Sequence, residues 1–233
     1  MGNKQGENKN GVLTILTNVL FVVALLFLAL VVTANIIYIE SPIDGSSMAP
    51  TFNTDNDEKA FINRFKKGNK GDIVVINTHE KDEEGNEVFI IKRIIATCGD
   101  RVKLNYNAEG EVEVWLNGEK LVEEYVVYSD KKNQLTGEAF TMQYFSDYIS
   151  SNSDVDYNED GLLIKEGDVF VMGDNRSVSI DSTKYGPFAT SDIVGKLDFV
   201  TKKEENGKIA AIKFILFSIF GAKDKTGYIV SFA

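Results

Sequence analysis

Residues 88–95 have the sequence Val88-Phe89-Ile90-Ile91-Lys92-Arg93-Ile94-Ile95, in which two adjacent cations interrupt a run of β-branched and aromatic side chains. Such a composition favours a β-strand. Alternate side chains of a strand share a face, so Lys92 is expected between Ile90 and Ile94, with Arg93 on the opposite face. A lysine on a buried face is costly unless it is neutral or paired. The alternative is an edge strand whose lysine extends its ammonium into solvent, and the pattern alone favours neither.

Short β-branched or aromatic runs recur along the rest of the chain, and turn signals separate them. The runs lie at 73–77, 111–116, 169–172 and 193–200, and the turn signals include Gly71-Asp72, Glu84-Gly85-Asn86, Gly99-Asp100 and Asn117-Gly118. Long helical periodicity is absent outside one apolar segment near the amino terminus, and no internal repeat is apparent. The sequence therefore predicts a mainly β fold.

The composition of the 233-residue chain excludes several classes of protein. Its formal net charge is -10, which argues against nucleic-acid binding, because polyphosphates need a cationic face. The chain has one cysteine, Cys98, so no intramolecular disulfide can stabilise the fold.

Val12 to Val32 is a stretch of 21 residues without a charge, long enough to cross a bilayer as a helix. Lys4 and Lys9 precede it, which favours a cytoplasmic amino terminus with the rest of the chain outside. The predicted boundaries are a cytoplasmic tail over 1–11 and a single transmembrane anchor over 12–39. The alternative is a signal peptide cleaved after Val32-Thr33-Ala34, but the apolar stretch is longer than the usual hydrophobic region of such peptides.

Three other segments differ in composition from the predicted strands. Residues 53–70 are polar and loop-like, and 122–166 are rich in Glu, Asp, Ser and Tyr. We predict that 122–166 form an inserted polar subdomain or flap in a β domain made of 40–121 and 167–233. The apolar stretch 209–221 is too short to cross a membrane, so a buried strand or a surface touching the bilayer is expected.

A candidate nucleophile lies in Ser47-Met48-Ala49-Pro50-Thr51, shortly after the apolar segment. Pro50 has a fixed φ and forces Ala49 to be extended, which predicts a rigid turn that can expose the Ser47 hydroxyl. A nucleophilic serine needs a base. The single histidine, His79, lies in a polar stretch typical of a solvated hairpin tip, whereas a desolvated lysine such as Lys92 can act as a base instead.

Two polar clusters remain. Residues 173–182 follow an apolar run and carry many short hydrogen-bonding side chains, as expected of a loop that braces neighbouring backbone. Asp156, Asn158, Asp160 and Gly161 match the start of a calcium loop, but the twelfth position, Gly167, lacks the bidentate glutamate. We therefore predict no metal site.

Taken together, the motifs form a recognisable series. In chain order they are the apolar anchor, Gly45-Ser46-Ser47-Met48-Ala49-Pro50-Thr51, Gly71-Asp72-Ile73-Val74-Val75, Lys92-Arg93-Ile94-Ile95, Gly99-Asp100, Gly173-Asp174-Asn175-Arg176 and Ser179-x-Asp181-Ser182. The series resembles the bacterial type I signal peptidases of family S26, from the membrane segment to about Val200. Lysine before Arg93 is typical of the bacterial Ser–Lys enzymes, and the single amino-terminal span resembles their Gram-positive branch.

The resemblance implies a role for individual residues. Ser47 would be the nucleophile and its backbone N–H an oxyanion donor, and Lys92 would be the general base. Ser179 would hydrogen-bond and orient the Lys92 amine, while Asp181 and Asp174 would support this arrangement.

The chain departs from the family pattern at two positions. Gly45 stands where some relatives supply a second oxyanion donor from a serine side chain. Thr183 stands where an arginine usually follows the Asp-Ser pair, and the neighbouring Lys184 is a possible substitute for it.

The resemblance also implies what the protein acts on. The substrates would be preprotein signal peptides, cut after small residues at positions -1 and -3, and the bilayer would be the other partner. The substrate pockets are expected to involve Met48, Ile43, Gly45 and Ile90. No cofactor is implied, and the sequence predicts no oligomeric state. The expected location is the cell membrane, with a periplasmic or extracellular catalytic β domain.

Three other functions share some of these sequence features. A non-enzymatic relative that assembles surface fibres would not need Ser47 and Lys92 together. A Ser–Lys self-cleaving regulator would be expected to carry a DNA-binding part. A peptidase dedicated to few substrates, such as pilin subunits, is a variant that the sequence does not separate from a general enzyme.

Overall fold

A computed structural model describes residues 4–52, 58–108, 111–126, 143–201, 209 and 212. Of the predicted segments, the first three residues of the tail, the middle of the proposed insert and nearly all of the stretch 209–221 lie outside this range.

The apolar segment near the amino terminus forms a single helix, α1 (Lys4–Ile37). Its residues Gly11–Ile37 have a mean hydropathy of 3.0 over the best window, none of which is buried against the rest of the chain. The polar interruptions hydrogen-bond within the helix, since Thr17 and Thr33 each donate to the carbonyl four residues earlier. Such bonds suit a helix surrounded by lipid, where no water is present to satisfy a hydroxyl.

Helix α1 continues into the first strand without a linker, because it ends at Ile37 and β1 begins at Tyr38. Ala34 lies inside the helix and is buried in a small cluster with Phe61, Phe199 and Ile212. The signal-peptide alternative would place its cleavage site at this buried helical position, which favours a retained anchor.

The first sheet has seven strands, all paired antiparallel, in the order β1-β2-β12-β3-β4-β10-β11. The strands are β1 (Tyr38–Pro42), β2 (Lys59–Asn63), β3 (Ile73–Lys81), β4 (Glu87–Thr97), β10 (Asp168–Met172), β11 (Phe188–Ala189) and β12 (Ile193–Thr201). In β12 every second residue is buried, as expected of a strand with one face on a core.

The second sheet has five strands in the order β7-β6-β5-β9-β8. They are β5 (Arg101–Tyr106), β6 (Val112–Leu116), β7 (Glu119–Lys120), β8 (Tyr157–Asn158) and β9 (Gly161–Leu163). The described residues also contain helix α2 over residues 143–151, the short α3 (Ser182–Tyr185) and a 3₁₀ turn (Thr190–Asp192). One hydrophobic core joins the two sheets, since Phe170 of β10 packs with Val102 of β5 and with Phe145 of α2.

The structure confirms the mainly β fold and the five predicted strands. The interpretation of 53–70 as a loop is wrong in part, because β2 lies within it and is buried. The division into a β domain and an insert over 122–166 stays a prediction. The strand pairing places the start of the second sheet at Arg101, well before residue 122.

Candidate active site

Ser47 lies in a tight turn that follows β1. Gly45 has a φ of 84°, a value that favours glycine, and this residue redirects the chain after the strand. The Phe52 N–H donates to the Met48 carbonyl and closes the turn. Met48 and Phe52 are buried in a hydrophobic cluster with residues of β2 and β3. The turn is thus held by its own apolar side chains, which leaves the half-buried Ser47 hydroxyl facing a cleft.

Lys92 lies on β4 and contacts Ser47 directly. Its Nζ donates to Ser47 Oγ at 2.8 Å and to the Ile91 carbonyl at 3.0 Å. Lys92 is only 3% exposed, so the alternative of a lysine extended into solvent is wrong. Burial lowers the pKa of Lys92, and the negative charges of Asp181 and Asp174 oppose this effect. A neutral amine hydrogen-bonded to a hydroxyl is the arrangement that activates a serine without histidine.

The loop after β10 is organised around the carboxylate of Asp181. Oδ2 accepts from the Gly173 N–H at 2.9 Å and from the Ser179 hydroxyl at 2.5 Å. The one hydrogen that the Ser179 hydroxyl can donate is therefore used in its hydrogen bond to Asp181. Among the hydrogen bonds of the described residues, none joins Ser179 to Lys92, which differs from the expected arrangement.

The same carboxylate is held from its other side by Thr183. The Thr183 hydroxyl and N–H both donate to Asp181 Oδ1, at 2.9 Å and 3.0 Å. Lys184 is exposed, and its ammonium lies 5.0 Å from the centre of the Tyr185 ring. The bracing expected from an arginine at position 183 thus comes from the threonine at that position, and Lys184 takes no part in it.

The loop after β10 also clamps the turn that carries Ser47. The Asn175 N–H donates to the Ser47 carbonyl at 3.0 Å, and its Nδ2 donates to the Ser46 carbonyl at 3.1 Å. At Gly173 a Cβ atom would lie 2.4 Å from the Ser47 carbonyl oxygen and 2.3 Å from Ser179 Oγ. Only glycine permits this approach. The sequence motif contained both residues, but their contacts with the Ser47 turn were not predicted.

A buried ion pair lies beside Ser47 and Lys92, which are called the dyad from here on. Arg93 donates from Nε to Asp174 Oδ1 at 2.9 Å and from Nη2 to Oδ2 at 2.6 Å. Arg93 also donates to the Gly71 carbonyl, and the Thr51 hydroxyl donates to Asp174. Asp174, predicted as dyad support, therefore joins β4 to the turn after Ser47 through Arg93 and Thr51, with no hydrogen bond to Lys92 within the described part of the chain.

A second buried pair was missed by the sequence reasoning. Arg176 is 1% exposed and donates from both terminal nitrogens to the carboxylate of Glu123. Tyr125 donates to the same carboxylate, and its ring lies 4.0 Å from the guanidinium carbon of Arg93. The segment after β7 is thus fixed against the loop after β10. The only sign of this pair in the sequence was that Glu123 is an acidic residue in the segment predicted to be an inserted polar subdomain.

The cleft in front of the dyad has a volume of about 300 Å³. It is lined by Ser41, Pro42, Asp44, Ser47, Ala60, Ile62, Val75, Phe89, Ile90, Ile91 and Lys92. Of the expected pocket residues, Ile90 lines the cleft directly, and Gly45 lies in the turn beside it. Ile43 and Met48 are buried beneath it, in one hydrophobic cluster with Ala60, Ile62 and Val75. The cleft therefore has an apolar floor of small and medium side chains.

The other candidate groups lie away from this cleft. The exposed His79 contacts Asp192 Oδ1 at 3.0 Å. Asp156 of the calcium-like stretch pairs with Arg101. Within the described ranges, no group of three or more His, Cys, Asp or Glu side chains comes together in a way that could hold a metal ion.

An apolar helix that leads into a β fold, and a serine hydroxyl bound by a buried lysine in a peptide-sized cleft, define a membrane-anchored serine peptidase. The family model described as "Signal peptidase, peptidase S26" matches residues 15–202. The chain belongs to this family, whose members are serine endopeptidases that hydrolyse signal peptides.

Individual relatives agree with the family match. Signal peptidase IB of Staphylococcus aureus is 30% identical over 183 residues, which cover 76% of this chain and 84% of that protein. Signal peptidase I S of Bacillus subtilis is 31% identical over 171 residues, covering 71% and 78%. A crystal structure of a signal peptidase I from Enterococcus faecalis matches with a TM-score of 0.34 and 24% identity, over 57% of this chain and 97% of that one.

Proposed function

We propose that this signal peptidase cleaves preproteins after small residues at positions -1 and -3, with Ser47 as nucleophile and Lys92 as general base. The observation that carries the proposal is the 2.8 Å contact between Lys92 Nζ and Ser47 Oγ, at a lysine buried from water. A fibre-assembly factor without activity would have no need of this contact, and the family relationship does not favour it.

The reaction proceeds in two halves. The neutral Lys92 amine takes the Ser47 proton while Oγ forms a bond to the scissile carbonyl carbon, and the negative charge that develops on the carbonyl oxygen is stabilised by the Ser47 N–H. The Lys92 ammonium then gives its proton to the leaving nitrogen as the C–N bond breaks. In the second half Lys92 takes a proton from water, the resulting hydroxide attacks the acyl-enzyme, and the proton returns to Ser47 Oγ.

The substrate peptide would lie extended in the cleft, between the strand leading to Ser47 and β4. Main-chain pairing with these strands would supply affinity, and alternate side chains would enter the apolar floor. Small residues at -1 and -3 fit a floor of Ala60, Ile62 and Val75 over the buried Met48 and Ile43.

Helix α1 anchors the enzyme, and we propose that it crosses the cell membrane once. Lys4 and Lys9, in the first turns of this helix, favour a cytoplasmic amino terminus. The cleft then lies on the outer side, where the cleavage site of an exported protein emerges.

The proposed activity is tested by incubating the detergent-solubilised full chain with a preprotein that has Ala at -1 and -3. We expect a single cut after the -1 residue, identified by mass spectrometry of both products. A matched preprotein with Phe at -1 should stay intact, because the proposed specificity is for small side chains at this position. An intact first preprotein, or a cut elsewhere, would count against the proposal.

The pH dependence follows from the burial of Lys92. Only the neutral amine can take the serine proton, so activity should rise with pH through the lowered pKa of Lys92. Asp181 raises the pKa of Lys92 electrostatically, so Asp181→Asn should lower that pKa further. The rising limb of the kcat/KM profile should then move to lower pH.

The matched control is Asp156→Asn, which removes one negative charge just before β8, away from the cleft. Its profile should coincide with that of the wild type. A rising limb that moves to higher pH in Asp181→Asn, or equally in both variants, would contradict Lys92 as the titrating base.

A further inference from the structure

Few of the residues that line the cleft are ionisable. Of the residues that line it, two carry ionisable side chains, Asp44 and Lys92. Burial lowers the pKa of Lys92, and the amine must be neutral when it acts as a base. In the reactive state the cleft therefore contains one lining residue with a net charge, the carboxylate of Asp44.

The Asp44 carboxylate is available to a ligand. Asp44 is exposed, three residues before Ser47, and within the described residues no hydrogen bond or ion pair engages its side chain. The nearby acid of β1 differs in this respect, since Glu40 is paired with Lys59. Asp44 thus combines a position in the cleft with an unneutralised charge.

The alternation of an extended peptide decides which substrate side chain meets this carboxylate. Successive side chains of a strand point to opposite faces. If the -1 and -3 side chains point to the apolar floor, the -2 side chain points to the open side of the cleft. Asp44 is an exposed lining residue on the chain segment between β1 and Ser47, next to that side.

We propose that Asp44 is a specificity-determining residue that favours a basic side chain at position -2 of the substrate and disfavours an acidic one. This inference rests on the proposed function, because it takes the register of the peptide from it. The preference is electrostatic, so it weakens as salt is added.

The test uses three preproteins that differ only at -2, where they carry Lys, Gln or Glu, and measures kcat/KM at low ionic strength. For an exposed ion pair we expect roughly 5- to 20-fold between Lys and Glu, with Gln between them. Asp44→Asn should reduce the ratio to roughly 2-fold or less, and Asp44→Lys should invert the order. Raising the salt concentration should shrink the wild-type ratio.

Asp192→Asn is the matched control, because it removes a half-buried aspartate that pairs with His79 outside the cleft. It should keep the wild-type preference. Equal kcat/KM for all three preproteins, or a preference that survives Asp44→Asn, overturns the role of Asp44 while the peptidase activity stands. Failure to cut any preprotein is a different result, since it overturns the proposed function itself.

Discussion

Ser47→Ala and Lys92→Met should each lower kcat for preprotein cleavage by roughly 10⁴-fold or more, because each removes one half of a nucleophile–base unit. The double variant should be no less active than either single variant, since residues that act as one unit give non-additive losses. The measurement is single-turnover cleavage of a preprotein with Ala at -1 and -3.

The two variants should differ in stability, which separates loss of chemistry from loss of fold. Lys92 is buried, and methionine places an apolar chain of similar length at the same position, so Lys92→Met should unfold at an equal or higher temperature. Lys184→Met removes an exposed lysine instead and should keep full activity. A Lys92→Met enzyme with a tenth of the wild-type rate would contradict the assignment of the base.

Asp174→Ala should lower the free energy of unfolding by about 3–5 kcal/mol, because it leaves the Arg93 guanidinium buried without its counter-charge. The side chains of this pair are 4% and 1% exposed, so water cannot replace the lost carboxylate. Urea unfolding of the full chain in detergent, followed by tryptophan fluorescence, measures the change.

Arg93→Met combined with Asp174→Leu provides the control for this pair. Removing both charges avoids an unpaired ion, so the double variant should be more stable than Asp174→Ala alone. Glu113→Ala breaks the more exposed pair with Lys120 and should cost no more than about 1 kcal/mol. A loss for Asp174→Ala as small as that for Glu113→Ala would mean that the buried pair contributes little.

The period of β4 shows how far sequence reasoning reaches. Alternation placed Lys92 and Arg93 on opposite faces, and both faces prove to be buried. The choice between a buried and a solvated Lys92 depended on which strands lie next to β4. Those neighbours are β3 and β10, and in the chain all five strands of the second sheet lie between them, so local patterning did not decide the question.

Other features were not predictable for physical reasons. Glu123 meets Arg176 across 53 residues, and no local pattern marks an acid that will be paired after such a separation. β2 was not recognised because its apolar part is only three residues long, between Lys59 and Asn63, and it lies in a polar segment. In β5, Val102 and Leu104 alternate with polar residues, but this alternating stretch is too short to be distinguished from the turns on either side.

The position of β12 dictates when a newly made chain becomes an enzyme. β12 lies between β2 and β3, so the strand before Ser47 and the strand with Lys92 belong to two halves that β12 joins. During synthesis the β3–β4 hairpin can form early, but the strand pairing that makes one sheet of these halves is complete only after residues 193–201 emerge, because non-local pairing must wait for its partner. A chain released before residue 193 would carry both reactive side chains but lack the strand that joins the two halves of the sheet, so partial products of translation should have little activity toward other proteins.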